Sequence, residues 1–220
     1  MAKLDIGAEV SPKKTFVWAI DWPGWCRSGQ DRDLAVEAFL AACGRYAKVA
    51  KRSGLDLPKV DADDLRVAET VDGAGGTEFG VPSSITKLDR RRTTKADAER
   101  LASLVEAAWV IFDRVAERSP AELRKGPRGG GRDRDKMIDH VIGADHAYAR
   151  EVGVQLPVPS MADRTAVESE RAAILVVLRR PSNGSPLADR RWTQRYAARR
   201  IASHALDHAW EMEDRSEPSP

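Results

Sequence analysis

Between Lys95 and Arg118 the apolar residues Leu101, Leu104, Val105, Ala108, Ile111, Phe112 and Val115 recur every three or four positions without interruption. That spacing stacks them into one stripe on an α-helix; a half-buried strand would alternate every second residue instead. Thr94 and Asp97 stand where a capping box would close the first turn. An amphipathic helix of this length needs partners to cover its apolar face. Three more helices are predicted downstream: Arg134 to Val152, Asp163 to Arg179 with Ile174, Val177 and Leu178 on one side, and Asp189 to Asp214. The connections carry breakers: the flexible stretch Pro127 to Gly131, then Pro157 and Pro159, then Pro181 to Pro186. Residues beyond Arg215 are expected to fray. Four helices so connected bury their stripes by packing together as an up-down four-helix bundle.

The first 85 residues have another texture. From Thr15 to Ile20 the run is apolar and reads as a strand, followed by a turn at Trp22-Pro23-Gly24-Trp25 and a further short strand. A helix is predicted from Asp33 to Arg52, closed by Gly54, with Val36, Phe39, Leu40, Cys43, Ala47 and Ala50 as its apolar face. Leu65 to Val71 reads as a strand, and Glu78 to Val81 as another across the glycine-rich turn. The fold class is therefore α+β: a small mixed domain over residues 1–85 and an all-α domain over 86–220.

Composition excludes more than it assigns. With 36 Lys+Arg against 34 Asp+Glu there is no global pull toward nucleic acid, and none is expected as a partner. No segment approaches 18 consecutive apolar residues, so no membrane span is expected. Residues 1–7 lack the apolar core of a signal peptide. Cys26 and Cys43 stand in no CxxC pair, which suits a reducing, cytoplasmic location and two packing cysteines. Exposed aromatics in the first 85 residues leave room for a homodimer.

His204 and His208 carry the chemistry. Four residues apart on the last helix, they share a stripe with Ala197, Ile201, Ala205 and Met212, and so point inward within reach of one ion. A histidine on an apolar stripe is commonly a satisfied core residue, so a third ligand decides the matter. His140, mid-helix beside Met137, Val141 and Ala144, is the best candidate; His146, flanked by Asp145 and Arg150, is placed nearer the rim. Three neutral imidazoles would make an open site of the catalytic kind. Asp207, Glu211 or Asp139 would orient the rings. Ala205 stands where a zinc-protease motif needs Glu, so proteolysis is disfavoured. Zinc or nickel comes first as the ion, iron or manganese next. The three-arginine run at Arg90–Arg92 reads as solvated, and Gly126–Gly131 lacks the ending of a phosphate-binding loop.

Ile138 to Asp145 and His204 to Glu211 resemble the corresponding segments of the DinB-like (YfiT-like) superfamily, which includes mycothiol-dependent maleylpyruvate isomerases. The resemblance covers about Asp89 to Asp214. It implies a four-helix bundle, His140, His204 and His208 as the metal triad, and a transferase or isomerase acting on a small molecule with a low-molecular-weight thiol. Arg199 or Arg200 would then contact a substrate carboxylate or simply be solvated. Phe16 to Trp25, with Ser28-Gly29 and the following helix, resembles HicB-like antitoxin domains but without a clear preceding strand. That resemblance implies a partner-docking module and frames the alternative, a non-catalytic stress-response protein with the bundle as scaffold. Trp18, Trp22 and Trp25 are expected to pack, or to form a lid over the metal pocket.

Overall fold

The computed structural model describes residues 3–126 and 130–216. Part of the predicted Pro127–Gly131 break, the first two residues, and the predicted frayed end at 217–220 lie outside them.

Four strands form one sheet: β1 (Leu4–Val10), β2 (Thr15–Ala19), β3 (Cys26–Gly29) and β4 (Leu65–Asp72), in the order β3-β2-β1-β4. The first three are antiparallel neighbours, and β4 joins parallel to β1. A parallel neighbour needs a crossover. Helices α1 (Arg32–Ala41) and α2 (Cys43–Arg52) supply it. Every residue of β2 is buried, because both faces of the sheet are covered. Val17 and Ala19 join the main core, while Phe16 and Trp18 cluster with Cys26 on the other face. Burial on both faces explains why Phe16 to Ile20 reads as a continuous apolar run rather than an alternation.

Sequence reasoning missed β1, and with it the centre of the sheet. Its period is legible in retrospect, since Leu4, Ile6, Ala8 and Val10 alternate with Asp5, Gly7 and Glu9. Three other expectations are corrected. The predicted helix from Asp33 to Arg52 is two helices meeting at Ala42, with Tyr46 and Val49 buried in addition to the predicted apolar face. Glu78 to Val81 is not a strand: α3 (Gly75–Glu78) is one helical turn, followed by Gly80 at φ +92 and then Pro82, which cannot donate to a ladder. The last helix begins at Gln194 rather than Asp189, because Ala188 and Asp189 adopt left-handed backbone (φ 49 and 54) that no α-helix continues.

The long helices are α4 (Lys95–Arg118), α5 (Arg134–Glu151), α6 (Arg164–Leu178) and α7 (Gln194–Ser216). The capping box of Thr94 and Asp97 is formed. Their main contacts run in the cycle α4–α7–α5–α6 and back to α4. Apolar packing is continuous across residue 85: Ile6, Val17, Phe39 and Tyr46 belong to the same buried cluster as Leu104, Phe112, Ile201 and Leu206. The Trp22-Pro23-Gly24-Trp25 turn joins the two regions. Trp25 stacks on Phe39 and Tyr46, with ring centroids 4.3 and 5.3 Å away, and donates its indole N–H to the Phe39 carbonyl. Gly24, at φ +95, lies flat against Leu206 and Ala202 of α7, where a Cβ would come within 2.6 Å of Leu206.

Candidate metal centre

His140 projects from α5 toward α7, and His204 and His208 project back from successive turns of α7. The packing of α5 on α7 brings the three together. One nitrogen of each ring lies within 4.8 Å of the others, and Nε2 of His204 is 3.2 Å from Nε2 of His140. Two metal–nitrogen bonds of tetrahedral geometry hold their nitrogens about 3.4 Å apart. The rings meet edge to face, with centroids 4.6 to 5.0 Å apart, as imidazoles aimed at a common point do rather than as a stack.

The environment keeps two ligands neutral. Burial pushes His204 down to about 2, aided by the neighbouring His208 and by the Arg200 guanidinium. His140 is lowered by burial and then by Arg132. A neutral imidazole offers the lone pair that a divalent ion of borderline softness takes. Among the expected orienting residues, Glu211 serves: its carboxylate lies 3.1 Å from Nδ1 of His208 and is steadied by Arg215 at 2.8 Å. A carboxylate accepts, so the His208 proton sits on Nδ1 and Nε2 faces the other rings. Asp207 instead pairs with Arg27 at 3.1 Å, and Asp139 is exposed. Nδ1 of His204 is buried without a hydrogen-bond partner among the described residues.

The placement of His146 is corrected. It is buried, with Nδ1 2.6 Å from Glu170 of α6. The flanking charges point to solvent when read along the chain, but Asp145 is itself buried against Arg171 at 3.3 Å. α5 lies between α6 and α7, so its two histidines serve opposite faces. Burial raises the Asp145 carboxyl to about 6 against the pull of Arg171.

The three imidazoles line an open cavity of about 540 Å³. Its opposite wall comes from the first 85 residues: Phe16 and Cys26 of the sheet and the loop Phe79–Pro82. That loop is tied down by Glu9, a fully buried carboxylate of β1 that accepts from the Thr77 hydroxyl and from the backbone N–H groups of Ser83 and Ser84. No local sequence pattern marks Glu9 or Lys14, and Arg132 and Phe79 stand out only as neighbours of a glycine-rich stretch and as part of a predicted strand, because the roles of all four depend on distant chain segments meeting. Trp18, Trp22 and Trp25 are buried packing residues and do not line the cavity.

Arg199 is corrected as a solvated or substrate-facing residue. It is buried, 2.7 Å from Asp89, with its guanidinium 4.3 Å from the Trp18 ring centre. Arg200 does line the cavity. Burial pushes the Cys26 thiol up to about 11 and also raises Cys43, so neither has the lowered pKa of an activated thiol. A larger cavity of about 840 Å³, between α2, α4 and α7, is lined mainly by Lys and Arg. The three-histidine cluster lies elsewhere.

No protein-family model, no curated protein and no solved structure matches this chain.

Proposed function

We propose that this protein is a metal-dependent enzyme of the DinB-like type, acting on a small molecule in a transferase or isomerase reaction with a low-molecular-weight thiol as co-substrate. One observation carries the reading: His140, His204 and His208 converge on the wall of a cavity open to solvent. A filled, dry interior would instead suit a scaffold. The cyclic contacts among α4, α5, α6 and α7 support a four-helix-bundle arrangement, and β1 supplies the leading strand that the HicB-like pattern lacked.

His140, His204 and His208 would hold the ion, with zinc or nickel first and iron or manganese next. Three protein ligands leave room for an exogenous one. When bound, such an ion lowers the pKa of a coordinated thiol or water and supplies a nucleophile at neutral pH. Glu211 fixes the tautomer and orientation of His208. Burial of His204 keeps that ring neutral and excludes water from its inner side. The loop anchored by Glu9 forms the facing wall, so a bound substrate contacts both halves of the chain.

Elemental analysis of full-length protein purified without chelator or nickel resin tests the reading. About one equivalent of metal is expected, falling at least tenfold in His208→Ala while the metal-free variant stays folded. No uptake of any of the four ions, or unchanged uptake in both His208→Ala and His204→Ala, would overturn it.

A further inference from the structure

Besides the imidazoles, the cavity carries four cationic side chains against one carboxylate: Lys14, Arg27, Arg132 and Arg200 against Asp207. Arg27 already occupies Asp207. Lys14, Arg132 and Arg200 have no ion-pair partner among the described residues. The preceding residue on α7, Arg199, has its charge met inside the protein by Asp89. Acids and bases nearly balance over the chain, so the excess at this cavity is local. Imidazole ligands contribute no negative charge, so an ion held by them would keep its full positive charge. A concave site with one sign of charge concentrates ligands of the other sign.

The remaining lining narrows the ligand further. Arg200 lies 5.4 Å from the ring centre of Tyr148, and that ring in turn meets His204 with centroids 5.7 Å apart. A guanidinium stands, therefore, one aromatic ring away from the ligand cluster. Ser203 lines the same cavity, and its Oγ is buried without a hydrogen-bond partner among the described residues. At the edge, Phe79 is 89% exposed on the loop that Glu9 ties to the sheet. An aromatic ring left in water at the mouth of a charged cavity suits a ligand with an apolar part.

We propose that the substrate of this site is a small organic oxyanion, a carboxylate or phosphate bearing an apolar group. Arg132 and Arg200 grip the oxyanion and Phe79 covers the apolar part. Guanidinium forks match both headgroups and hold them in a fixed orientation. The inference deepens the metal-centre reading and rests on it for the location of the reacting atom.

The test is a ¹⁹F NMR titration of the full chain, zinc-loaded and metal-free, with three probes: 4-(trifluoromethyl)phenylacetate, 4-(trifluoromethyl)benzylphosphonate and the neutral 4-(trifluoromethyl)phenylacetamide. At least one acid should bind tenfold or more tighter than the amide, and the tighter acid assigns the headgroup. Arg200→Gln and Arg132→Gln should each weaken that acid fivefold or more with zinc content unchanged, whereas Arg118→Gln, at the other cavity, should not. Equal binding of acids and amide, or full acid binding in the Arg132→Gln/Arg200→Gln double variant, would overturn the inference. A protein that takes up no zinc yet keeps the arginine-dependent preference retains the oxyanion site and loses the metal-centre reading. One equivalent of zinc with no acid preference has the opposite meaning.

Discussion

His208 is the ligand whose orientation is fixed from outside, because Glu211 reaches back one turn along α7 and takes its Nδ1–H. Arg215, one further turn on, holds Glu211 in place and helps keep its carboxyl below the usual range, with His208 the larger cause. Replacing Glu211 by Gln leaves the shape but removes the charged acceptor. The expected result is metal affinity weakened about 10- to 100-fold, read by competition with a chromogenic chelator. The site's pH response follows from the depressed ligands. A metal must displace protons from protonated imidazoles, but His204 carries none near neutrality, and His140 carries fewer than an ordinary histidine. Calorimetry in buffers of different ionisation enthalpy at pH 6 should therefore register clearly fewer than the roughly two protons that three unperturbed imidazoles would release. Metal affinity should also fall less steeply on acidification than for a site of ordinary imidazoles. At this scale the H-x-x-x-H pair and His140 were legible from helical period alone. The tautomer, the charge state and the choice of Glu211 over Asp207 were not, since each depends on what lies across the helix.

At the scale of elements, the helices with long apolar stripes were readable and the short pieces were not. α4 runs over the predicted residues because its stripe spans about four turns and a capping box marks its start. Glu78 to Val81 failed as a strand because a short apolar run carries no period, and Gly80 and Pro82 decide its backbone. β3 is four residues long and holds its place through α1, which packs closely on it. Gly29 permits that approach: a Cβ there would lie 2.4 Å from the Ala35 backbone nitrogen. Gly29→Ala should destabilise the fold by roughly 2–3 kcal/mol, measured by denaturant unfolding, because backbone rather than a flexible side chain must give way. Gly44→Ala, where an added Cβ meets nothing within 4 Å, serves as the control and should be near neutral or stabilising.

For the whole molecule the cavity is the decisive feature, because neither half of the chain builds it alone. The helices supply the imidazoles, and the sheet and its loop supply the facing wall. Arg199 of α7 spans the two halves: Asp89 meets its charge, while the guanidinium donates to the Ser84 carbonyl at 3.1 Å and lies over the Trp18 ring. Glu9 anchors the segment that follows β4 and so fixes the facing wall. Glu9→Ala would leave two backbone N–H groups and a hydroxyl without their acceptor. A loss on the order of 3 kcal/mol is expected by denaturant unfolding, with zinc uptake retained, because the imidazoles stand on α5 and α7. Loss of the metal with the loop would mean that the two walls depend on each other.

The sequence by itself determined the periodic elements, the mixed α+β class and the inward direction of the paired histidines on the last helix. All of these follow from spacing along one chain segment, and a residue's period is a property of its neighbours in sequence. Tertiary structure alone decided which carboxylate meets which cation, why His146 turns to Glu170 while His140 turns to His204, and which loop closes the cavity. Those outcomes depend on pairs up to 180 residues apart, such as Arg27 and Asp207, and on the loss of water between them. Burial then sets the charge state of each group, and no local pattern records it.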